Sequence, residues 1–216
     1  EPRIWEGALH QFMYETINLP IPAFACGETH DTPRLAAREG GKILSKTLTV
    51  LNMFTPNGVP FINSGQEIFE TQPMNTGLDC KPDEQFNLEV DDPYYGKLAL
   101  FDKYQLHYTN PRRWELPDML DQIKPIRKKY LKQLTNKKSF LPLFAPDQPK
   151  TFIGLAYFSK KTSNKENCLL ILANANPYHE QFIRPNIHDL RALSNNKEIE
   201  GKLLFSTHEG PREFTQ

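Results

Sequence analysis

The stretch Cys26-Gly27-Glu28-Thr29-His30-Asp31-Thr32-Pro33-Arg34 decides the fold that we predict for this chain of 216 residues. An apolar run at residues 21–25 leads into it and predicts a short strand, and the proline that follows the acidic residue often begins a helix. His30, Asp31 and Arg34 would then lie where a strand ends and a helix approaches. Enzymes built on parallel sheets keep their chemistry at such strand ends.

A second strand follows the same plan. Residues 42–54 carry apolar side chains at helical spacing and predict a helix that begins at the glycines just before them. Residues 59–62 predict another short strand, and Gln66 and Glu67 come soon after it. Two successive strand–helix units with polar residues at the strand ends predict an α/β fold, either a (β/α)8 barrel or a doubly wound sheet.

The remaining elements divide into a helical part and a β part. Further helices are predicted at residues 5–18, 97–108 and 118–135, the last with a kink at Pro125. Short strands are predicted at residues 151–160, 167–175, 181–185 and 202–207, and they favour a small antiparallel β domain. We therefore assign residues 1–138 to the α/β part and residues 139–216 to the β domain.

The composition limits the partners and the compartment. The chain has 26 basic and 26 acidic residues and a net charge of +0, so it has no global electrostatic attraction to nucleic acid or to an anionic membrane. Three cysteines without a close pair favour a reducing compartment, and the cytoplasm is the predicted location. No apolar run predicts a leader or a membrane span. The chain starts at Glu1 rather than Met, and we expect it to be a fragment of something longer.

His30 and Asp31 leave two interpretations open. In a water-poor cleft, a carboxylate beside a hydrogen-bond donor can bind hydroxyl groups and stabilise a cationic transition state. Alternatively, Asp31 or Thr32 caps the following turn, and His30 is a structural residue with satisfied hydrogen bonds. Arg34 and the second polar turn at Gln66 favour the functional interpretation.

The motifs resemble a known family. Glu28-Thr29-His30-Asp31 with Thr32-Pro33-Arg34-Leu35, an apolar helix and then Gly58-Val59-Pro60-Phe61-Ile62-Asn63-Ser64-Gly65-Gln66-Glu67 is similar to the last two strand regions of the α-amylase clan, glycoside hydrolase family 13. The resemblance implies the C-terminal part of a TIM barrel followed by a β-sandwich domain. Either motif alone would be weak, but both occur in the right order and at the right separation.

The resemblance also implies roles for individual residues. Asp31 looks like the family's third catalytic carboxylate, which binds sugar hydroxyls and helps to distort the ring toward the oxocarbenium-like state. His30 looks like its neighbour on the same sugar, and Arg34 is expected either to bind near it or only to hold the loop. Gln66 and Glu67 are expected near the cleft, with a structural role favoured for Glu67.

Glu28 is the other acid of this turn, and we place it with the substrate-binding residues. The family pattern gives no support for Glu28 as the general acid. The family's nucleophile and general acid come from earlier strands, and the phrase that would carry the nucleophile is absent from this sequence. We therefore expect a fragment that is inactive alone, from a longer enzyme that works by double displacement.

Within the clan, Gln72-Pro73-Met74-Asn75-Thr76-Gly77-Leu78-Asp79 looks most like maltosyl- or maltodextrin glycosyltransferases. The polar excursion at residues 70–93 could shield the intermediate from water and favour a maltodextrin acceptor. Two other classes remain as alternatives, namely a catalytically inactive amylase-like interaction subunit and a carbohydrate-binding module. An unpaired parallel edge would also invite assembly into a homo-oligomer.

Aromatic and histidine side chains complete the candidates. Tyr94, Tyr95 and Trp114 are left open between stacking on sugars and packing, because flat rings stack on glucose units. Core packing is favoured for three rings at helical spacing: Phe101, Tyr104 and Tyr108. Four histidines lack acids or cysteines at ligand spacing, so we expect no metal and no other cofactor: His107, His179, His188 and His208.

Overall fold

The computed structural model describes residues 2–74, 80–98, 102, 105–109, 111, 113–143, 151–159, 168–180, 200–207 and 213–215. Its helices are α1 (Pro2–Glu15), α2 (Gly41–Met53) and α3 (Glu115–Leu134). Its strands are β1 (Ala23–Ala25), β2 (Gly58–Pro60), β3 (Phe140–Pro142), β4 (Phe152–Phe158), β5 (Cys168–Asn174), β6 (Glu200–Lys202) and β7 (Glu213–Thr215).

The strand–helix–strand unit predicted from the sequence is confirmed. β1 and β2 are neighbours in one sheet, and α2 connects them. The Ala23 amide donates to the Asn57 carbonyl over 2.8 Å, and the Phe61 amide donates to the Ala25 carbonyl over 2.9 Å. Residue numbers therefore increase in the same direction along both strands, which is the pattern of a parallel pair. No closed barrel occurs within the described ranges, so the barrel remains a prediction.

Helix α2 begins where the sequence placed it, because two glycines supply the backbone turn. Gly40 and Gly41 have φ angles of +92° and +49°, a region that residues with a Cβ rarely adopt. The helix then buries one face with Leu44, Leu48 and Leu51. α3 confirms the helix predicted at residues 118–135, although it starts three residues earlier, at Glu115.

The antiparallel character of the β part is confirmed for its described strands. β4 pairs antiparallel with both β3 and β5, and β6 pairs antiparallel with β7. The strands predicted at residues 151–160 and 167–175 correspond to β4 and β5. The strand predicted at residues 202–207 is wrong, because only its first residue lies in β6. The strand predicted at residues 181–185 lies outside the described residues, and a sandwich remains a prediction.

The chain forms two compact units that differ from the predicted domains. Unit 1 comprises residues 1–24, 53–59 and 122–216, and unit 2 comprises residues 25–52 and 60–121. The boundary predicted after residue 138 falls within unit 1, between α3 and β3, and stays a prediction. In unit 2 the helix predicted at residues 97–108 is wrong for its described residues, which lie in bends, turns and irregular backbone.

Two tyrosine hydroxyls form hydrogen bonds that join the buried strand β4 to other parts of unit 1. The Gly154 amide donates to the Tyr14 hydroxyl over 3.2 Å, and the Tyr157 hydroxyl donates to the Phe54 carbonyl. Tyr157 has no exposed surface, and this burial raises its pKa well above the usual value, although the charge of Arg127 opposes the rise. β4 is therefore fixed to α1 and to the segment after α2.

Replacing Tyr157 by phenylalanine is expected to lower the free energy of unfolding by about 1–2 kcal/mol, because the buried Phe54 carbonyl loses its donor. Urea unfolding followed by circular dichroism measures the change. Tyr95→Phe is the matched control, since the Tyr95 hydroxyl makes no hydrogen bond within the described part of the chain. Equal effects of the two variants would contradict the assigned hydrogen bond.

Candidate functional site

The polar turn after β1 rests on a buried ion pair. Arg34 Nη1 lies 2.8 Å from Glu28 Oε1, and the two side chains are 0% and 1% exposed. Glu28 Oε2 accepts a second hydrogen bond, from the Leu35 amide, over 2.6 Å. The pair thus fixes both ends of the turn that carries His30 and Asp31.

The same pair also reaches the segment that follows β2. Arg34 Nη1 donates to the Ser64 carbonyl over 2.7 Å, and Arg34 Nε donates to the Gln72 carbonyl over 2.9 Å. Asn63 Nδ2 donates to Glu28 Oε1 over 3.2 Å. The two polar turns, distant in sequence, are therefore joined through one carboxylate and one guanidinium group.

Three of the predicted substrate-binding side chains are too buried for that task. Glu28, Arg34 and Gln66 are 2%, 1% and 1% exposed. Gln66 Oε1 accepts from the Asn63 backbone amide over 3.3 Å, and Gln66 Nε2 donates to the Thr49 hydroxyl over 2.9 Å. Apart from Arg34 Nη2, which is buried and has no hydrogen-bond partner in the described part of the chain, their polar atoms bind the protein itself. A direct contact with a bound sugar therefore does not fit this geometry. They hold the two turns in place instead.

Glu67 binds the backbone of its own turn. Its Oε2 atom accepts from the Gly65 amide over 2.8 Å, and its Oε1 atom lies 3.5 Å from the Tyr108 hydroxyl. Gly65 has a φ angle of +97°, which a residue with a Cβ would adopt only with strain. This arrangement matches the structural role that the sequence favoured for Glu67.

His30 and Asp31 lie side by side at the surface of this turn. His30 Nε2 is 3.1 Å from Asp31 Oδ2, and the side chains are 63% and 34% exposed. The turn beneath them closes on itself, because the Thr32 hydroxyl accepts from the Thr29 amide over 2.8 Å. The predicted cap of the following turn is wrong, because the turn at Leu35–Ala37 begins after Arg34 and has no side-chain cap. The carboxylate and the imidazole are accessible to a ligand.

An open cleft of about 430 Å³ adjoins the turn. Its walls are formed by seven residues: Cys26, Gly27, Glu28, Thr29, Thr32, Pro33 and Arg38. Arg38 donates to the Pro33 carbonyl from Nε over 3.2 Å and from Nη2 over 2.8 Å. Burial raises the pKa of the Cys26 thiol, and the charge of Arg38 only partly opposes the rise, so the wall carries a neutral thiol at neutral pH. Such a mixed wall suits a neutral, hydroxylated ligand better than a strongly charged one.

A second cluster, which the sequence did not reveal, is centred on His107. His107 Nδ1 lies 2.7 Å from Glu70 Oε2, and His107 Nε2 lies 3.1 Å from Asp92 Oδ2. Burial by itself lowers the pKa of His107, but the hydrogen bond and charge of Glu70 and the charge of Asp92 raise it above the usual value. The partners are 37 and 15 residues away in sequence, so no local spacing could have revealed them.

The predicted aromatic residues have different surroundings. Tyr94 packs edge-on against His107, with ring centres 5.8 Å apart, and Tyr95 lies 5.1 Å from Phe86. Trp114 is 61% exposed, with the Arg113 guanidinium group 5.4 Å from its ring centre. Core packing was predicted for Tyr108 and is wrong, because the side chain is 53% exposed. Phe101 and Tyr104 lie outside the described residues.

The described part of the chain has neither a metal-binding cluster nor a membrane-spanning helix. Within it, no group of three or more histidine, cysteine, aspartate or glutamate side chains is arranged to hold a metal ion. No described helix combines the length and the apolar character that crossing a membrane requires.

Comparison with known proteins adds no family assignment. The sequence matches no protein-family model, and it has no significant similarity to a curated protein.

Proposed function

We propose that this chain supplies one wall of the sugar-binding site of a retaining enzyme that acts on α-1,4-glucans, with Asp31 as the carboxylate that stabilises the transition state. The observation that carries the proposal is the exposed His30–Asp31 pair, with 3.1 Å between Nε2 and Oδ2, just beyond the end of β1. Ligands and catalytic groups of parallel α/β folds gather at this end of the strands.

The chemistry of the pair suits a glucan. A carboxylate accepts hydrogen bonds from neighbouring sugar hydroxyls, and the imidazole can donate to or accept from the same sugar. As positive charge develops at the sugar ring, a nearby carboxylate becomes more favourable, which lowers the barrier. The buried Glu28–Arg34 pair supports this role, because it fixes the turn on both sides of Asp31.

The nucleophile and the general acid of double displacement would come from outside these 216 residues. Transfer of maltosyl or glucosyl units between maltodextrins is the finer form of the proposal, supported by the excursion after Gln72 that could exclude water. A cytoplasmic location belongs with it, supported by the odd number of cysteines.

A titration of the 216-residue chain with maltotetraose, followed by amide NMR shifts, tests this proposal. We expect weak binding, with a Kd on the order of 1 mM, that shifts the amides of residues 29–32. Asp31→Asn should abolish these shifts, whereas Asp91→Asn, the same change at an exposed position, should leave them unchanged.

Three outcomes would count against the proposal. Absence of shifts at residues 29–32 in the unsubstituted chain would remove the sugar site. Micromolar binding that survives Asp31→Asn would favour a carbohydrate-binding module. Release or transfer of sugar by the chain alone would contradict the assignment of the nucleophile and the acid to other sequence.

A further inference from the structure

The His107 cluster lies beside the loop at residues 81–98, which we call loop 81–98 and which overlaps the second half of the excursion predicted at residues 70–93. Glu70 is 1% exposed at its side chain, Asp92 is 22% exposed and the His107 ring is 25% exposed. Glu70 precedes loop 81–98 in the chain, Asp92 lies within it and His107 follows it. One imidazole therefore contacts a carboxylate before the loop and a carboxylate within it.

Both carboxylates are held in position by the backbone. Glu70 Oε1 accepts from the Thr71 and Gln72 amides over 3.0 and 3.2 Å, and Oε2, which faces the imidazole, also accepts from the His107 backbone amide over 3.1 Å. Asp92 Oδ1 accepts from the Tyr94 amide over 2.8 Å, which leaves Oδ2 for the other ring nitrogen. Neither carboxylate can turn away from the ring without losing a backbone hydrogen bond.

The proton count of the ring decides whether both contacts can be made. A neutral imidazole carries one N–H group, so it can donate to only one of two carboxylates, and its other nitrogen presents a lone pair to an oxygen anion. The imidazolium ion donates from both nitrogens, and such charge-assisted hydrogen bonds are the stronger kind. Both ring nitrogens lie within hydrogen-bond distance of a carboxylate oxygen, at 2.7 Å and 3.1 Å, and only the doubly donating ion satisfies both contacts.

We propose that His107 is a proton-dependent latch that ties the turn at residues 89–95 to Glu70 when its ring is protonated. The bond to Glu70 survives deprotonation, because it is the shorter one and the Glu70 side chain is almost fully buried. The bond to the more exposed Asp92 is the one that is lost. Without its tether to His107, the turn opens its backbone bonds, from Asp92 to Glu89 and from Tyr95 to Asp92, more often.

Among the described residues, the other groups around the ring do not replace this tether. Tyr94 presents its ring edge-on to the imidazole, and Lys97 Nζ lies over the Tyr94 ring, 5.9 Å from its centre. Lys42 shares a pocket of about 230 Å³ with Glu70 and His107, and its charge disfavours protonation of the ring. The two carboxylates outweigh the effect of burial, and together they raise the pKa of His107 above its usual value.

The pH dependence follows from the direction of this shift. The folded chain holds the His107 proton more tightly than the unfolded chain, whose histidine titrates near pH 6.5. The contribution of the latch to stability is therefore fully present below about pH 6.5 and is lost as the pH rises through the raised pKa of the folded state. The latch is closed in acid and open in mild alkali.

Histidine ring NMR and amide hydrogen exchange test the latch on the full chain. We expect His107, assigned with the variant His107→Gln, to titrate above pH 6.5 and the pKa to fall in Asp92→Asn. Exchange of the Asp92 and Tyr95 amides, corrected for the intrinsic effect of pH, should rise by roughly tenfold across the titration. In His107→Gln this rise should be absent.

Asp91→Asn is the matched control, because it removes a charge from the adjacent, exposed position of the same turn. It should change neither the His107 titration nor the exchange of the turn by a comparable amount. The latch is disproved if His107 titrates at or below pH 6.5, if Asp91→Asn has as large an effect as Asp92→Asn, or if exchange of the turn does not follow the titration. None of these results depends on sugar binding.

Discussion

Arg34→Met is expected to lower the free energy of unfolding by about 3–5 kcal/mol, the range for removing one partner of a buried ion pair. The variant leaves the Glu28 carboxylate buried with only the Leu35 amide and the Asn63 side chain as donors. It also deprives the Ser64 and Gln72 carbonyls of their guanidinium donors. Chemical unfolding followed by circular dichroism measures the loss.

A second substitution separates the charge from the packing. In Arg34→Met/Glu28→Gln the buried charge is absent, so the double variant should be less destabilised than the sum of the two single variants. If the double-mutant cycle of Arg34→Met and Glu28→Gln shows no coupling free energy, the 2.8 Å contact between the two groups is contradicted.

Lys46→Met is the matched control within unit 2. It breaks the ion pair of Lys46 with Glu115, whose side chains are 29% and 35% exposed. Such partly exposed pairs contribute about 0–1 kcal/mol, so this variant should lose far less stability than Arg34→Met. Equal losses would show that burial does not govern the strength of the Glu28–Arg34 pair.

The contrast between these ion pairs explains how much of the site could be predicted. The sequence identified Glu28, His30, Asp31 and Arg34 as one polar turn, because their spacing after an apolar run is local information. It could not distinguish the two buried side chains from the two exposed ones. That distinction depends on Asn63, Ser64 and Gln72, which reach the turn only in the folded chain.

The fold shows the same division. Helix α2 and strands β1, β4 and β5 were predicted because apolar periodicity, and glycines that mark the ends of elements, can be recognised within a few residues of sequence. The helix expected at residues 97–108 is absent from its described residues, which instead make local and long-range contacts. Leu98 donates its amide to the Asp102 carboxylate over 2.9 Å, which closes a local turn, and His107 is bound to Glu70. Such contacts leave no periodic signal in a single sequence.

The Gln72 side chain binds loop 81–98 within unit 2. Its side-chain amide nitrogen donates toward the Gln85, Tyr94 and Lys97 carbonyls, the last over 2.7 Å. Its own carbonyl accepts from Arg34. Gln72, which is fully buried, thus links loop 81–98 to the Glu28–Arg34 ion pair beneath the His30–Asp31 turn.

Gln72→Leu is therefore expected to lower the free energy of unfolding by about 2–5 kcal/mol, because three carbonyls lose a shared buried donor. The loss stays below the sum for three separate groups, since the substitution also removes the Gln72 Oε1 atom, which is buried and has no hydrogen-bond partner in the described part of the chain. Amide exchange at residues 85–97 should rise together with the loss of stability.

The control is Gln105→Leu, the same change at an exposed amide that accepts one hydrogen bond, from the Tyr94 hydroxyl over 3.0 Å. It should cost at most about 1 kcal/mol and leave exchange at residues 85–97 unchanged, because an exposed partner can bind water instead. If Gln72→Leu raises amide exchange at residues 85–97 while the His107 titration is retained, the Gln72 side-chain amide holds loop 81–98 and the His107 imidazolium adds the pH dependence. If both substitutions leave exchange unchanged, loop 81–98 is held by other contacts.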